Sequence, residues 1–297
     1  YAASLASVLQ AFIPSGITKK RHKGTNLQGN KKIIRDDPPT LKKDQDLIVR
    51  NILNNQGTKP HLLFGITGSG KTEVYLRLIE DVMEKSQQAI VLVPEISLTP
   101  MMLEGFTARF GNKVVVLHSY LKETERYTNW KAIFDNKKTV IIGSRSALFA
   151  PCHNLGLIII DEEHETSYKQ DQTPKYQTIK VAEKLSQLTG AKLVLGSATP
   201  SINSYYLATK NEYNLHLLNK RIIQNSMPPV EIIDMRNEFK YGNKSIFSDK
   251  LKQEINNAIH NKKQVLLYQN FPNRNLLCFI VREPDNIHSF GKADRMC

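Results

Sequence analysis

The amino-acid sequence predicts an α/β fold, in which a parallel β-sheet carries helices on both faces. Short apolar runs alternate with helical patterns from Leu41 onward, and 40% hydrophobic residues in a chain of 297 can form a sizeable core. The strand-like runs are HLLFG, AIVLV, KVVVLHS, TVIIG, LGLIIID and KLVLGS, and the helix candidates are KTEVYLRLIEDVMEK, TERYTNWKAIF and YQTIKVAEKLSQL. Because helices connect the strands, we expect the strands to run parallel.

Changes in composition divide the chain into five segments. Residues 1–18 are mildly amphipathic and end near a Pro/Gly break, and residues 19–40 are basic and poor in apolar side chains, which indicates a linker. Residues 41–225 hold the alternating pattern. Residues 226–270 begin a second unit with a strand (VEIIDM), a helix (SDKLKQEINNAIH) and a strand (QVLLY). The remaining tail, 271–297, is too short to complete a second α/β domain.

The charge balance points to a polyanionic partner. The chain has 41 Lys and Arg against 28 Asp and Glu, a formal net charge of +13. Such an excess is typical of proteins that bind nucleic acid. A basic surface that serves solubility alone is the alternative, and charge by itself does not decide between them.

Export and membrane insertion are not indicated. The longest apolar runs are far shorter than the roughly 20 residues needed to cross a bilayer, so no membrane partner is predicted. Cys152, Cys278 and Cys297 stand far apart and form no CxxC pair. They predict neither a disulfide framework nor a zinc site, and a reducing cytoplasmic location fits best.

A phosphate-binding loop follows the first predicted strand. The segment GITGSGKT fits the pattern GxxxxGKT and comprises Gly65, Ile66, Thr67, Gly68, Ser69, Gly70, Lys71 and Thr72. Glycines let backbone N–H groups surround a phosphate, and the following helix directs its positive end at the same anion. We expect Lys71 to reach the β- and γ-phosphates and Thr72 to bind Mg²⁺. A glycine turn that binds nothing is the alternative.

An acidic segment follows the strand LGLIII and supplies the groups that such a loop requires. Asp161 comes directly after the apolar run and is the predicted second Mg²⁺ residue. Glu162 is expected to orient and deprotonate the attacking water, and His164 to lie on the γ-phosphate side. A solvated acidic turn is the alternative, which the upstream loop disfavours.

A third motif carries the first resemblance to a known family. GSATPS follows the strand KLVL, and together with the phosphate loop and the acidic segment it resembles the first three motifs of superfamily 2 helicases. VLVPEISLTPMM, LHSYLKETERYTNW, IIGSRSALFAP and NLGLIIIDEEHETSYKQ narrow the resemblance to the primosomal replication-restart helicases. The implied fold is a RecA-like P-loop NTPase domain, followed by the start of an incomplete second RecA-like domain.

The resemblance also implies a function. It implies an ATP-dependent 3′-to-5′ DNA helicase of replication restart and primosome assembly at stalled forks, with ATP and Mg²⁺ as cofactors. Its partners would be single-stranded and forked DNA, replication-restart proteins and single-strand-binding proteins. Residues 1–18 resemble the end of that family's N-terminal DNA-binding region.

Individual site residues follow from the same resemblance. Gln45 would contact adenine, and Ser197 and Thr199 would couple hydrolysis to motion. The residues expected to hold the DNA backbone are Pro94, Glu95, Ser97, Thr99, Ser144 and Arg145. An aromatic and basic loop of Tyr168, Lys169, Gln170 and Tyr176 would sense single-stranded DNA, since stacking on a base and lysine–phosphate contacts both favour binding. Tyrosines that are simply partly buried are the alternative.

The chain departs from the family pattern in three places. Ile179 and Lys180 replace an arginine–aspartate pair, the paired zinc cysteines are missing, and so is the final motif with its arginines. Zinc therefore belongs to the full-length family and is not supported by this chain. Losing an arginine finger costs on the order of 10³–10⁵ in rate. The alternative function is a catalytically silent module that binds ATP and DNA.

Overall fold

The computed structural model describes residues 39–222, 229–269 and 277–281, together with the isolated positions 4, 8 and 13. The chain divides into two compact units, Tyr1–Asn225 and Ser226–Cys297. The predicted N-terminal segment and linker lie outside the described residues except at those positions and at residues 39 and 40, and most of the predicted tail does too. Among the described helices, none combines the length and apolar character that a membrane crossing requires.

A seven-stranded sheet forms the centre of the first unit, and every neighbouring pair in it is parallel. Its strands are β1 (His61–Gly65), β2 (Gln88–Leu92), β3 (Val114–Leu117), β4 (Val140–Gly143), β5 (Leu155–Ile160), β8 (Lys192–Ser197) and β9 (Asn214–Leu218). The strand order is β3-β4-β2-β5-β8-β1-β9, so the carboxyl ends of β1, β5 and β8 lie side by side. The predicted fold class, a RecA-like α/β domain with a parallel sheet, is confirmed.

Within residues 39–222, six α-helices connect or flank these strands. They are α1 (Lys43–Asn54), α2 (Lys71–Glu84), α3 (Pro100–Phe110), α4 (Glu123–Phe134), α5 (Thr178–Thr189) and α6 (Ile202–Thr209). The sequence predicted α2, α4 and α5 and missed α1, α3 and α6. It also missed β9, whose segment NLHLL lies at the edge of the sheet and alternates between half-buried and exposed side chains.

The central strands are buried on both faces, which explains why their sequences are continuously apolar. All six residues of β5 and all five of β2 are buried. Successive side chains point to opposite faces, so Ile159 belongs to one core cluster and Ile158 to the other. The sheet therefore separates two hydrophobic cores, one beneath each helical layer.

A short hairpin projects between β5 and α5. It consists of β6 (Lys169–Gln170) and β7 (Tyr176–Gln177), which pair antiparallel. A 3-10 helix, Thr166–Tyr168, joins the hairpin to the acidic segment. The predicted single-strand-sensing loop is therefore an ordered hairpin directly downstream of the acidic residues.

The second unit contains α7 (Met235–Lys240), α8 (Asp249–His260) and two antiparallel strands, β10 (Val265–Gln269) and β11 (Leu277–Val281). The predicted helix and the strand QVLLY are present as α8 and β10. The predicted strand VEIIDM is wrong, because residues 229–234 have no regular structure and Ile232 is 93% exposed. Asp234 instead caps α7 by accepting a hydrogen bond from the backbone N of Arg236, at 3.0 Å.

Candidate active site

The phosphate loop joins the end of β1 to the start of α2. Gly70 is the residue before α2 and has a φ of 84°, a conformation that side chains with a Cβ rarely adopt. A Cβ at Gly70 would also collide with the side chains of Gln45 and Ile222. Glycine is thus required at this position both for the turn and for the close approach of its neighbours.

The loop and the acidic segment line one cleft of about 650 Å³. Its lining residues are Ile66, Thr67, Gly68, Ser69, Gly70, Lys71, Thr72, Asp161, Glu162, Arg221 and Ile222. The Nζ of Lys71 donates to the carbonyl of Gly65 at 2.9 Å and lies 4.0 Å from Oε1 of Glu162. The strand order brings these groups together, since the ends of β1 and β5 flank the end of β8.

Asp161 is a half-buried carboxylate that is hydrogen-bonded to a tyrosine that sequence reasoning missed. The hydroxyl of Tyr75, on α2, donates to Oδ1 of Asp161 at 2.8 Å. Burial raises the pKa of Asp161, and the nearby charge of Glu162 raises it further, while the Tyr75 hydrogen bond and the charge of Lys71 act in the opposite direction. The carboxylate therefore depends on its neighbours to remain ionised.

Glu162 has a φ of 46°, the left-handed region that a residue with a Cβ rarely adopts. Such backbone strain persists where the surrounding structure fixes a side chain for function. Here the carboxylate faces the cleft beside Lys71, and its Oε2 lies 3.7 Å from Nδ1 of His164. The geometry suits a base directed toward the phosphate side.

His164 connects the acidic segment to the third motif. Its Nδ1 is 2.8 Å from Oγ of Ser197, and its Nε2 is 3.5 Å from Oγ1 of Thr199. The Oγ of Ser197 also accepts a hydrogen bond from the backbone N of Thr199 at 2.9 Å. The structure thus brings the predicted coupling residues against the predicted catalytic histidine.

Glu163 is a second residue that sequence reasoning missed. It is 2% exposed, and its carboxylate accepts from the backbone N of Ser201 at 2.6 Å and from the hydroxyls of Ser201 and Ser204 at 3.1 and 2.9 Å. Both serines lie at the start of α6, where a negative charge is favourable. The sequence held one signal for this role. The serines after the third motif carry donors that need a hydrogen-bond acceptor when they are buried.

Gln45 lies beneath the phosphate loop. It is 3% exposed, and its Nε2 donates to the carbonyls of Ser69 and Gly70 at 3.3 Å each, while its Oε1 accepts from the backbone N of Lys42 at 2.9 Å. This amide therefore supports the loop from below. The expected adenine contact stays a prediction, and in this structure the side chain of Gln45 is hydrogen-bonded to the protein backbone.

The predicted DNA-contacting segments meet at a second cleft, of about 400 Å³. Glu95, Ser144, Arg145, Gln170 and Tyr176 all line it. Ser97 ends a 3-10 helix next to it, Pro94 is buried at the start of that helix, and Thr99 is the N-cap of α3. The exposed Lys169 pairs with Asp171 at 3.2 Å.

Tyr168 corrects one prediction. We expected its ring to stack on single-stranded DNA, but it is 4% exposed and packs in the hydrophobic core. Its hydroxyl donates to the carbonyl of Asp161 at 2.7 Å, and its own carbonyl accepts from Oγ1 of Thr178 at 2.6 Å. A buried ring cannot stack on a base, so this residue links the hairpin to the acidic segment instead.

Arg145 holds the same hairpin from the outside. Its Nη1 donates to the carbonyl of Ser167 at 2.6 Å and to that of Lys169 at 3.1 Å. The remaining donors of its guanidinium are compatible with a phosphate contact, because the group carries five N–H donors. Arg145 is therefore placed to connect a bound anion with the hairpin.

The residues of the first cleft fit a nucleotide phosphate with Mg²⁺. Within the described part of the chain, the buried Oγ of Ser69 has no hydrogen-bond partner. Thr72 and Asp161 line the cleft together and offer a hydroxyl and a carboxylate, ligands that suit Mg²⁺. No group of three or more His, Cys, Asp or Glu side chains that could hold a metal occurs among the residues described. A two-residue site agrees with Mg²⁺ that is also held by substrate phosphates.

Comparison with known proteins identifies relatives of this chain. Residues 42–206 match the DEAD/DEAH box helicase family. The replication restart protein PriA of Bacillus subtilis (strain 168) is 47% identical over 222 residues, which are 75% of this chain and 28% of that protein. The replication restart protein PriA of Synechocystis sp. is 42% identical over 272 residues, 89% of this chain and 33% of that protein.

A solved structure of RecG bound to a three-way DNA junction is also similar, with 25% identity over 65% of this chain and 25% of that chain, at a TM-score of 0.43. The curated matches confirm the resemblance to replication-restart helicases that the motifs predicted. The chain spans about a third of the length of the curated relatives that it matches.

Proposed function

This chain belongs to the DEAD/DEAH box helicase family, and from that premise we propose that it is the ATP-hydrolysing part of a replication-restart DNA helicase. One observation carries the proposal. Lys71 on the phosphate loop and the carboxylates of Asp161 and Glu162 line the same cleft, at the carboxyl ends of parallel strands. Phosphoryl transfer needs little beyond positioned phosphates, neutralised charge and an oriented water.

Hydrolysis of ATP follows from the roles of these residues. The loop backbone and Lys71 hold the β- and γ-phosphates, and Thr72 with Asp161 would hold the Mg²⁺. When bound, Mg²⁺ neutralises charge on the phosphate oxygens. Glu162 orients the attacking water and accepts its proton, and the strained backbone at this residue keeps the carboxylate directed into the cleft.

Coupling to DNA would use the hairpin. Arg145 contacts the hairpin at Ser167 and Lys169, and the intervening Tyr168 donates to the carbonyl of Asp161. A phosphate that draws the guanidinium of Arg145 outward would therefore move a segment that is hydrogen-bonded directly to Asp161. His164, bonded to Ser197, would pass changes at the γ-phosphate in the other direction.

The activity of the whole protein is part of the same proposal. Unwinding in the 3′-to-5′ direction needs a complete second domain as well as this one, and primosome assembly would involve replication-restart and single-strand-binding proteins. The relatives named above are replication restart proteins, which supports a part in replication restart and, with it, a cytoplasmic location. The net charge of +13 supports a nucleic-acid partner.

The phosphate site is tested with Lys71→Ala. We expect ATP binding, measured by titration calorimetry, to be largely lost, because the γ-phosphate loses its fixed positive charge. Glu162→Gln should bind ATP normally and lose hydrolysis, since the amide cannot accept the proton of water. Lys85→Ala is the matched control, because this exposed lysine directly follows the C-terminal end of α2, away from the phosphate loop, and pairs with Asp81. ATP binding by Lys71→Ala at the level of the unmodified chain would refute the site.

DNA binding is tested by a salt titration with single-stranded DNA. Lysine and arginine contacts release condensed counterions. A plot of the logarithm of the binding constant against the logarithm of the salt concentration should therefore have a slope near −0.7 for each phosphate contacted. Affinity that does not depend on salt would mean that the positive charge serves solubility. ATP and DNA binding without hydrolysis by the unmodified chain would favour the silent module over the ATPase.

A further inference from the structure

The second cleft has a wall that the DNA-contacting motifs do not account for. His118 directly follows β3, and Arg126 and Trp130 lie on α4. All three line the cleft. Phe149 and Tyr176 complete its aromatic lining and contact each other edge to face, with ring centroids 5.2 Å apart. Ring side chains therefore come from four separate segments of the fold: the end of β3, α4, the 3-10 helix Arg145–Phe149 and β7.

Polar groups share the cleft with these rings. Glu95, Gln170 and the guanidiniums of Arg126 and Arg145 all line it. A volume of about 400 Å³ lies at the small end of ligand pockets, which suits one planar group rather than an extended ligand. Planar faces with polar groups at their edges are what a nucleobase requires of its binding site.

Glu95 indicates which part of DNA lies here. A carboxylate repels a phosphate, so Glu95 is a poor partner for the backbone that its motif was expected to hold. A carboxylate does accept hydrogen bonds from the exocyclic amino groups of bases. One of its oxygens, Oε1, already accepts from the hydroxyl of Ser119 at 3.2 Å, which fixes its orientation.

We propose that this cleft binds one unstacked base of single-stranded DNA, with Trp130 as an aromatic contact and Glu95 as an acceptor for base amino groups. The proposal rests on the DNA binding proposed above and adds the base and the wall formed by α4. Trp130 is preorganised, because its ring stacks on Phe134 with centroids 5.3 Å apart and an interplanar angle of 10°. Duplex DNA keeps its bases inside the stack, so an occupied cleft would report a single strand.

A base bound in this cleft would contact residues that are connected to the ATP site. Arg145 and Gln170 both line the cleft. Gln170 lies in the hairpin, and Arg145 donates hydrogen bonds to the carbonyls of Ser167 and Lys169 beside it. An inserted base would therefore contact the segment that Tyr168 connects by a hydrogen bond to Asp161. Phosphate contacts alone would not distinguish single-stranded from duplex DNA in this way.

The full chain provides its own reporter, because Trp130 is its one tryptophan. The experiment is a fluorescence titration with a single-stranded oligonucleotide of about 12 nucleotides and with an abasic strand of the same length. Binding is followed in parallel by the anisotropy of a dye on each strand. We expect the normal strand to quench Trp130, and the abasic strand to bind through its phosphates without quenching.

A variant series tests the same contact without the reporter. Trp130→Leu should weaken binding of the normal strand about 5-fold to 100-fold, the range expected for one base–aromatic stack, and leave the abasic strand unaffected. Trp130→Phe should recover most of the loss. Glu95→Gln should reduce any preference for strands rich in adenine or cytosine over thymine.

Equal tryptophan signals with normal and abasic strands, or binding of both without any signal, would overturn the base pocket and leave the proposed ATPase intact. Failure to bind either strand would contradict the proposed function together with this inference. A Trp130→Leu chain that unfolds at a lower denaturant concentration would be replaced in the comparison by Trp130→Phe, paired with the abasic strand.

Discussion

The hydroxyl of Tyr75 donates a hydrogen bond to Oδ1 of Asp161 at 2.8 Å, and the tyrosine is buried while Asp161 is half-buried. A carboxylate that would hold Mg²⁺ is thus oriented by a side chain from the helix after the phosphate loop. Gly196 permits this contact, because a Cβ there would collide with the Tyr75 hydroxyl.

Tyr75→Phe should raise the Mg²⁺ concentration needed for ATP hydrolysis by about 10-fold to 100-fold, as is typical for loss of a hydrogen bond behind a metal ligand. The measurement is a Mg²⁺ titration of hydrolysis at saturating ATP. Tyr205→Phe, at a partly exposed tyrosine on α6, is the control. An unchanged Mg²⁺ requirement would show that Asp161 keeps its orientation without Tyr75.

Glu163→Ala should destabilise the first unit by about 3 kcal/mol. The change removes three charge-assisted hydrogen bonds and leaves buried donors on Ser201 and Ser204 without an acceptor. Urea unfolding followed by circular dichroism measures the effect. Glu104→Ala, at an exposed position of α3, should change stability by less than about 0.5 kcal/mol. Equal midpoints for the two variants would contradict this role for Glu163.

Arg145→Ala should raise the DNA concentration for half-maximal stimulation of ATP hydrolysis about tenfold, since a lost charge-assisted hydrogen bond costs roughly 1.5 kcal/mol or more. The variant loses both the contact expected with phosphate and the bonds to Ser167 and Lys169. Lys137→Ala provides the control, because this exposed lysine precedes the N-terminal end of β4, whereas Arg145 follows the carboxyl end of the same strand. Full stimulation of Arg145→Ala at the original DNA concentration would exclude the hairpin route.

His61 and His216 predict a loss of stability in acid. Nδ1 of His61 is 2.9 Å from Nε2 of His216, and burial, with smaller contributions from His216 and Lys192, lowers the pKa of His61 to about 3. The unfolded chain therefore binds a proton near pH 6.5 that the folded chain refuses until about pH 3, so stability falls as pH drops through this window.

Because of His61, the free energy of unfolding should fall by about 2 kcal/mol between pH 7 and pH 5. Urea unfolding at the two pH values measures it. Replacing both histidines by leucine should reduce the difference by at least that amount, because burial also lowers the pKa of His216. His260→Leu, at an exposed histidine of α8, is the control. An equal acid loss in the double variant would assign the effect to other groups.

The sequence predicted those parts of the fold and site that depend on local pattern. Lys71 and Asp161 were found because a glycine loop and an acidic pair each follow an apolar strand. Tyr75 and Glu163 were missed because their partners lie 86 and 38 or more residues away and meet them only through the strand order. Tyr168 was misassigned because sequence does not show whether a tyrosine in a polar segment points inward.

The strand that carries the phosphate loop lies between two strands that are synthesised much later. β1 occupies residues His61–Gly65, yet its neighbours are β8 and β9, which end at Ser197 and Leu218. During translation, more than half of the chain is synthesised after β1 before both of its neighbouring strands are complete. Pairings between strands so far apart in sequence are slow to form. We therefore expect the nucleotide site to be among the last parts of the seven-stranded sheet to assemble. A nascent chain that ends before residue 214 would leave one edge of β1 unpaired. Measuring nucleotide binding by ribosome-bound chains of increasing length would show at which length β9 pairs with β1.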